Sequence, residues 1–157
     1  MLNHADMQIN DLLVKTYQNI GNVEERMLTR NGDLTIAELH MMECVSRAPE
    51  KACTISGIAQ ALSITLPTVT VAIQKLEKKG YVVKSRDEKD GRVMRVTLTQ
   101  RGRKMDAAHR YFHENMVRSV TREMDESEID ALIRSLTRLN EFFERKQKES
   151  TQENAEE

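Results

Sequence analysis

The sequence predicts a mainly α-helical chain carrying one small β element, and three observations lead there. Apolar residues recur at helical spacing toward both ends of the 157 residues. Two short, capped helical stretches meet at a tight turn near the middle. A charged span then lies between two β-rich runs.

The elements follow in order. Ile9, Leu12, Leu13, Ile20, Val23, Met27 and Leu28 fall on one face of a first helix, which Asn31-Gly32 ends. A second helix opens at Thr35 as N-cap with Glu38 three positions on, a capping box. Leu39, Met42 and Val45 form its inner stripe and Pro49 stops it. Thr54 caps a short helix carrying Ile58, Ala59 and Leu62, and Ser63-Ile64 makes the turn. Thr65 caps the next helix, where Pro67 is tolerated because a first-turn N–H has no intrahelical partner. Val69, Ile73 and Leu76 face inward and Gly80 closes the helix. Two short helices so joined are a helix-turn-helix.

The runs Tyr81–Lys84 and Val93–Leu98 flank a polar tip and read as a two-stranded hairpin that must lean on the helices before it. A long helix follows, with Met105, Ala108, Phe112, Met116, Val120 and Met124 on one stripe. Asp125-Glu126-Ser127-Glu128 starts another that turns Ile129, Leu132, Ile133, Leu136, Leu139 and Phe143 inward. The predicted architecture is a winged helix-turn-helix at about 54–99, with N- and C-terminal dimerisation helices at about 5–30 and 100–147, in one domain spanning 1–147. Residues 148–157 are polar apart from Ala155 and are expected to form a disordered tail. Apolar stripes at both ends of so small a domain call for a homodimer; an antiparallel bundle within one chain is the alternative.

Composition narrows the function. No stretch approaches the roughly 20 apolar residues that cross a bilayer, and the first residues lack the basic start and apolar run of a signal peptide. Cys44 and Cys53 form no C-x-x-C, which argues against a disulfide scaffold and fits a reducing cytoplasm. Glycine-rich phosphate loops, a nucleophile elbow and H-E-x-x-H are all missing, so an enzyme is not expected. Net charge is −1, but residues 75–104 hold eleven Lys/Arg against four Asp/Glu, while 123–157 hold five against eleven. A basic block inside an otherwise acidic chain, coinciding with the hairpin, is an anion-binding footprint, and double-stranded DNA is the expected partner.

Burying Val69, Ile73 and Leu76 turns Pro67, Thr68, Thr70, Val71, Gln74, Lys75 and Lys78 outward. The hydroxyls of Thr65 and Thr68 at the helix N-terminus suit phosphate. Gln74 can pair with adenine, and Thr and Val methyls can touch a thymine methyl. Arg92 at the hairpin tip suits a narrow minor groove, and Lys84, Arg86 and Arg95 suit phosphates. Each lysine admits the alternative of an idle, solvated side chain.

Several of these residues also carry a family resemblance. Asp90-Gly91-Arg92 followed by Leu98-Thr99, and Thr68-Val69-Thr70 followed by Leu76-Glu77-Lys78-Lys79-Gly80-Tyr81-Val82, resemble the wing and recognition helix of the MarR family of bacterial regulators. The likeness covers nearly all of residues 5–147. It implies a winged helix-turn-helix dimer on palindromic operators, repression as the usual outcome, and a role for Asp90 in holding the Arg92 guanidinium.

His109-Arg110-Tyr111-Phe112-His113 with Met116-Val117, and Glu38-Leu39-His40, are similar to the Gram-positive repressors of fatty-acid biosynthesis within that family. This likeness implies an acyl chain on acyl carrier protein as effector, with no cofactor required, and Met27, Met41, Met42, Phe112 and Met116 are candidate pocket residues. Zinc sensing is the competing reading. His109 and His113 stand four residues apart on one helix face, and His40, Glu24 and Cys44 could add ligands. Ordinary buried or interface histidines are the third. Peroxide-sensing relatives place a cysteine in the first helix, and this first helix has none.

Overall fold

The computed structural model describes residues 3–31, 33–87 and 90–156, so the Gly32 half of the expected first helix stop lies outside them. The chain divides into two compact units, Met1–Tyr111 and Phe112–Glu157. The first holds helices α1 (His4–Asn31), α2 (Ile36–Arg47), α3 (Ile55–Leu62) and α4 (Leu66–Lys78). It also holds strands β1 (Ala52–Thr54), β2 (Val82–Arg86) and β3 (Met94–Leu98), and the opening turns of α5 (Gln100–Thr121). The second holds the rest of α5 and α6 (Glu126–Glu156). No single helix among the described residues is long and apolar enough to cross a membrane.

Local chemistry sets the helix boundaries. Thr35 Oγ1 accepts from the Glu38 N–H while Glu38 Oε2 accepts from the Thr35 N–H, so the capping box forms at the start of α2. Thr54 and Thr65 cap α3 and α4 in the same way, accepting from the Gly57 and Thr68 N–H groups. Between them Ser63 adopts a left-handed conformation (φ 53°), and the two helices turn through 117°. Gly80 (φ 76°) ends α4, where the N–H groups of Gly80 and Tyr81 donate to Glu77 and Leu76 carbonyls. At α6, the Asp125 carboxylate accepts from the Ser127 hydroxyl and the Glu128 N–H. The Ser127 hydrogen bond, followed by the Glu128 one, holds its pKa below the ordinary value.

The core of the first unit follows the apolar pattern. Leu39, Met42 and Val45 of α2, Ile58 of α3, and Val69, Ile73 and Leu76 of α4 are fully buried together with Val96 of β3. Tyr81 is buried too, with the Arg101 guanidinium 4.2 Å above its ring. Thr99 ties the end of the sheet to α5. Its N–H donates to the Tyr81 carbonyl, its hydroxyl to the Gly80 carbonyl, and Oγ1 in turn accepts from the Gly102 N–H. A side chain at Gly102 would run into the Tyr81 carbonyl oxygen, so only glycine lets α5 approach this closely.

Two expectations need correction. The β element is a three-stranded antiparallel sheet in the order β1-β3-β2 rather than a lone hairpin, with Cys53 opposite Val96 and Val83 opposite Thr97. The third strand, Ala52–Thr54, is three residues long, too short for apolar alternation to register, and it exists only because β3 offers it a free edge. The polar segment from residue 148 continues α6 to Glu156 instead of ending it. It contains neither Gly nor Pro, and the Lys146–Glu149 pair at 2.8 Å adds support one turn apart.

Parts of both terminal stripes are exposed. Ile9 and Leu12 on α1 are each 56% exposed. In the second unit, Ile133 is 57% and Phe143 is 54% exposed.

Candidate nucleic-acid interface

Because Val69, Ile73 and Leu76 anchor α4 in the core, the opposite face of that helix is presented to solvent. Thr65, Pro67, Thr68, Val71, Gln74, Lys75 and Lys78 are all exposed there. Thr65 and Thr68 share a hydroxyl–hydroxyl hydrogen bond of 2.8 Å at the helix N-terminus. Thr70 is different. It is half-buried, and its hydroxyl donates to the Leu66 carbonyl at 2.8 Å, so only its acceptor capacity is left for a ligand.

The wing brings Asp90 and Arg92 together. Asp90 Oδ1 accepts from the Arg92 backbone N–H at 3.0 Å and from Nε at 3.2 Å. The Arg92 side chain is 93% exposed, so this contact orients the guanidinium without burying it. The tip itself is folded by the Asp90 N–H, which donates to Asp87 Oδ1 at 2.9 Å, and by the Val93 N–H, which donates to the Asp90 carbonyl.

Among the described residues, three further basic side chains of the wing have distinct surroundings. Arg86 is exposed. Lys84 is half-buried with Nζ 2.8 Å from Glu77 Oε2, an ion pair that links β2 to α4. Arg95 is held between two carboxylates: Nε donates to Asp87, and Nη1 donates to Glu50 Oε2 at 3.2 Å. The Asp87 carboxylate, by hydrogen bond first and charge second, raises the pKa of that guanidinium further. Glu50 and Lys51 sit in left-handed backbone conformations (φ 58° and 55°) in the turn between α2 and β1.

Sequence reasoning missed Glu50, Glu77 and Asp87. Glu50 lies 45 positions from Arg95, a separation no local pattern reports. It missed Lys79 as well. Nζ of Lys79 sits 2.8 Å from Glu38 Oε2, tying the end of α4 to the capping box of α2 with the carboxylate almost wholly buried. The pair ties the end of α4 to α2, and losing Lys79 would strip a buried carboxylate of its counter-charge.

The effector candidates are divided between the units. In the first, Met41 and Met42 are buried within the apolar core and Met27 packs against it. Phe112 and Met116 belong to the second unit, where each is half-buried. Of the zinc candidates, Glu24 and His109 form a buried pair, Oε1 to Nε2 at 3.0 Å, and the His40 ring lies 5.8 Å from that of His109. His113 is in the second unit, against the Phe112 ring at 5.0 Å. Cys44 is half-buried beside Cys53, and burial, with Cys53 next in weight, pushes its thiol pKa up.

The comparisons agree with this geometry. The MarR family profile matches residues 34–94. Staphylococcus aureus SarZ, an HTH-type transcriptional regulator, is 30% identical over 91 residues, 58% of this chain and 55% of SarZ, so the chain spans about half the length of the curated relatives it matches. Among solved structures, Streptococcus pneumoniae FabT in complex with DNA is 35% identical, with a TM-score of 0.81 over 88% of this chain and 97% of FabT. The S. aureus MepR–DNA complex shares the fold, with a TM-score of 0.65 over 90% of this chain and 96% of MepR at 20% identity. An exposed recognition face on α4, a wing tipped by a tethered arginine, and relatives of this similarity lead to one conclusion: the chain belongs to the MarR family of winged helix-turn-helix regulators.

Proposed function

We propose that the protein binds palindromic operators as a homodimer, with α4 in the major groove and Arg92 in the flanking minor groove, and represses transcription. The observation that carries this reading is the pairing of an exposed α4 face, from Thr65 to Lys78, with an Arg92 guanidinium that Asp90 orients and solvent surrounds. Groove-reading side chains have to be exposed before binding, and one held in a single geometry loses less entropy on docking. The uncovered apolar faces of α1 and α6 support the dimer, since each Leu or Ile buried contributes about 1.5–3 kcal/mol. Footprinting tests the reading. Protection of an inverted repeat with half-sites roughly 10 bp apart supports it, and an asymmetric half-site held by a monomer overturns it.

For the effector we infer a long acyl chain carried on acyl carrier protein. The resemblance of residues 109–117 and 38–40 to the fatty-acid repressor branch supports this, as does the 35% identity to FabT. The second reading, zinc, is favoured by the buried Glu24–His109 pair with His40 nearby.

A further inference from the structure

Arg95 occupies a position where a phosphate contact is the obvious reading: a basic residue on β3 of the wing. Its surroundings argue otherwise. Two of the guanidinium's nitrogens already donate to carboxylates, Nε to Asp87 and Nη1 to Glu50. The three side chains together carry a net negative charge, so a phosphate arriving here meets repulsion from two carboxylates as well as attraction from one arginine. The Arg95 side chain is 35% exposed against 93% for Arg92, and that of Asp87 is only 11% exposed.

The contacts beyond Arg95 run in one direction. Asp87 uses Oδ2 for Arg95 and Oδ1 for the Asp90 N–H, so fixing one oxygen fixes the other. Asp90 then offers Oδ1 to both the backbone N–H and Nε of Arg92. At the other end Glu50 is anchored in a turn whose two left-handed residues are uncommon for side chains of this kind. A chain of polar contacts therefore leads from β3, through Arg95, to the Arg92 side chain in solvent.

We propose that Arg95 is a positioning residue: clamped by Glu50 and Asp87, it holds the wing tip so that Asp90 presents Arg92 for DNA, and it makes no contact with DNA itself. This rests on the reading of Arg92 as a groove contact, and it assigns Arg95 a different task from Arg92. Without the clamp, Asp87 loses its Arg95 partner, the tip is held less firmly before binding, and ordering it on DNA costs more entropy.

A double-mutant cycle tests the assignment on duplex selected from a random pool by the wild-type protein, with salt titration and thermal melting alongside. Arg95→Gln should weaken binding roughly tenfold, the scale of one charge-assisted hydrogen bond. In an Arg92→Ala background the same substitution should cost almost nothing, because there is no guanidinium left to position. The melting temperature should stay near wild type, and Glu50→Gln should show the same non-additivity at smaller amplitude. Should Arg95→Gln fail to fold, the Glu50→Gln cycle decides alone, since that carboxylate is 76% exposed.

If the loss persists undiminished in the Arg92→Ala background, the clamp does not act through Arg92. A salt slope flattened by about one unit would then mark Arg95 as a phosphate contact. A matching fall in melting temperature would mark it as purely structural. If Arg92→Ala alone binds like wild type, the groove-contact reading fails and the positioning proposal with it. Absence of any selected duplex would instead refute specific DNA binding altogether.

Discussion

On the proposed reading Arg92 and Gln74 meet DNA in different ways, and their substitutions should look different. Arg92→Ala removes a guanidinium whose attraction to a narrow minor groove is electrostatic, so a titration should show clear weakening. Asp90→Ala should weaken binding indirectly, because the Arg92 side chain loses its 3.2 Å tether while keeping its charge. Wild-type affinity in Arg92→Ala would end the minor-groove role. Gln74 is exposed on the middle of α4, where an amide can accept from and donate to one adenine. Gln74→Ala should cost about 1–3 kcal/mol on operator and little on random DNA. Equal losses on both would reduce it to a positioning contact.

At the level of elements, the most exacting junction is between the sheet and α5. Gly102 lies against the Tyr81 carbonyl, so Gly102→Ala must displace either the helix start or the chain leaving α4. Thermal melting should show a loss of about 1–3 kcal/mol, as for other overpacked sites; an unchanged melting temperature would mean the junction is looser than described. The capping residues of these elements were legible in advance. Thr35, Thr54 and Thr65 cap their helices as their position before apolar stripes indicates, and Gly80 terminates α4. β1 was not legible, because a three-residue strand carries no period of its own. The same holds for the salt bridges from Lys84 to Glu77 and from Lys79 to Glu38, which tie α4 to β2 and to α2.

The whole molecule is a question of which surfaces meet a partner. Apolar faces on α1 and α6 are left open, and a homodimer through them would present two copies of α4 related by a two-fold axis. The effector reading belongs to this scale as well. A long chain shifts a two-state equilibrium only by its preference for one arrangement, and each buried CH₂ adds about 0.8 kcal/mol to that preference. Operator affinity should therefore rise with acyl length on acyl carrier protein and stay flat with zinc or chelator in gel shifts. Zinc-dependent binding that His109→Ala abolishes, with no response to acyl groups, would transfer the role to the Glu24–His109 site.

By itself, the sequence determined the order of helices, their caps, the inward residues of α4, and the basic wing with Asp90 two positions before Arg92. These depend on interactions between residues a few positions apart, which helical and strand periodicity make visible. Only the tertiary structure decided which cations of the wing are paired across the fold. Arg92 stays in solvent, whereas Lys84 and Arg95 are taken up by Glu77, Glu50 and Asp87. It also paired Glu24 with His109 across 85 positions of sequence. A charge has the same identity in the sequence whether it is solvated or paired, and the difference arises only when folding brings an opposite charge within hydrogen-bonding distance.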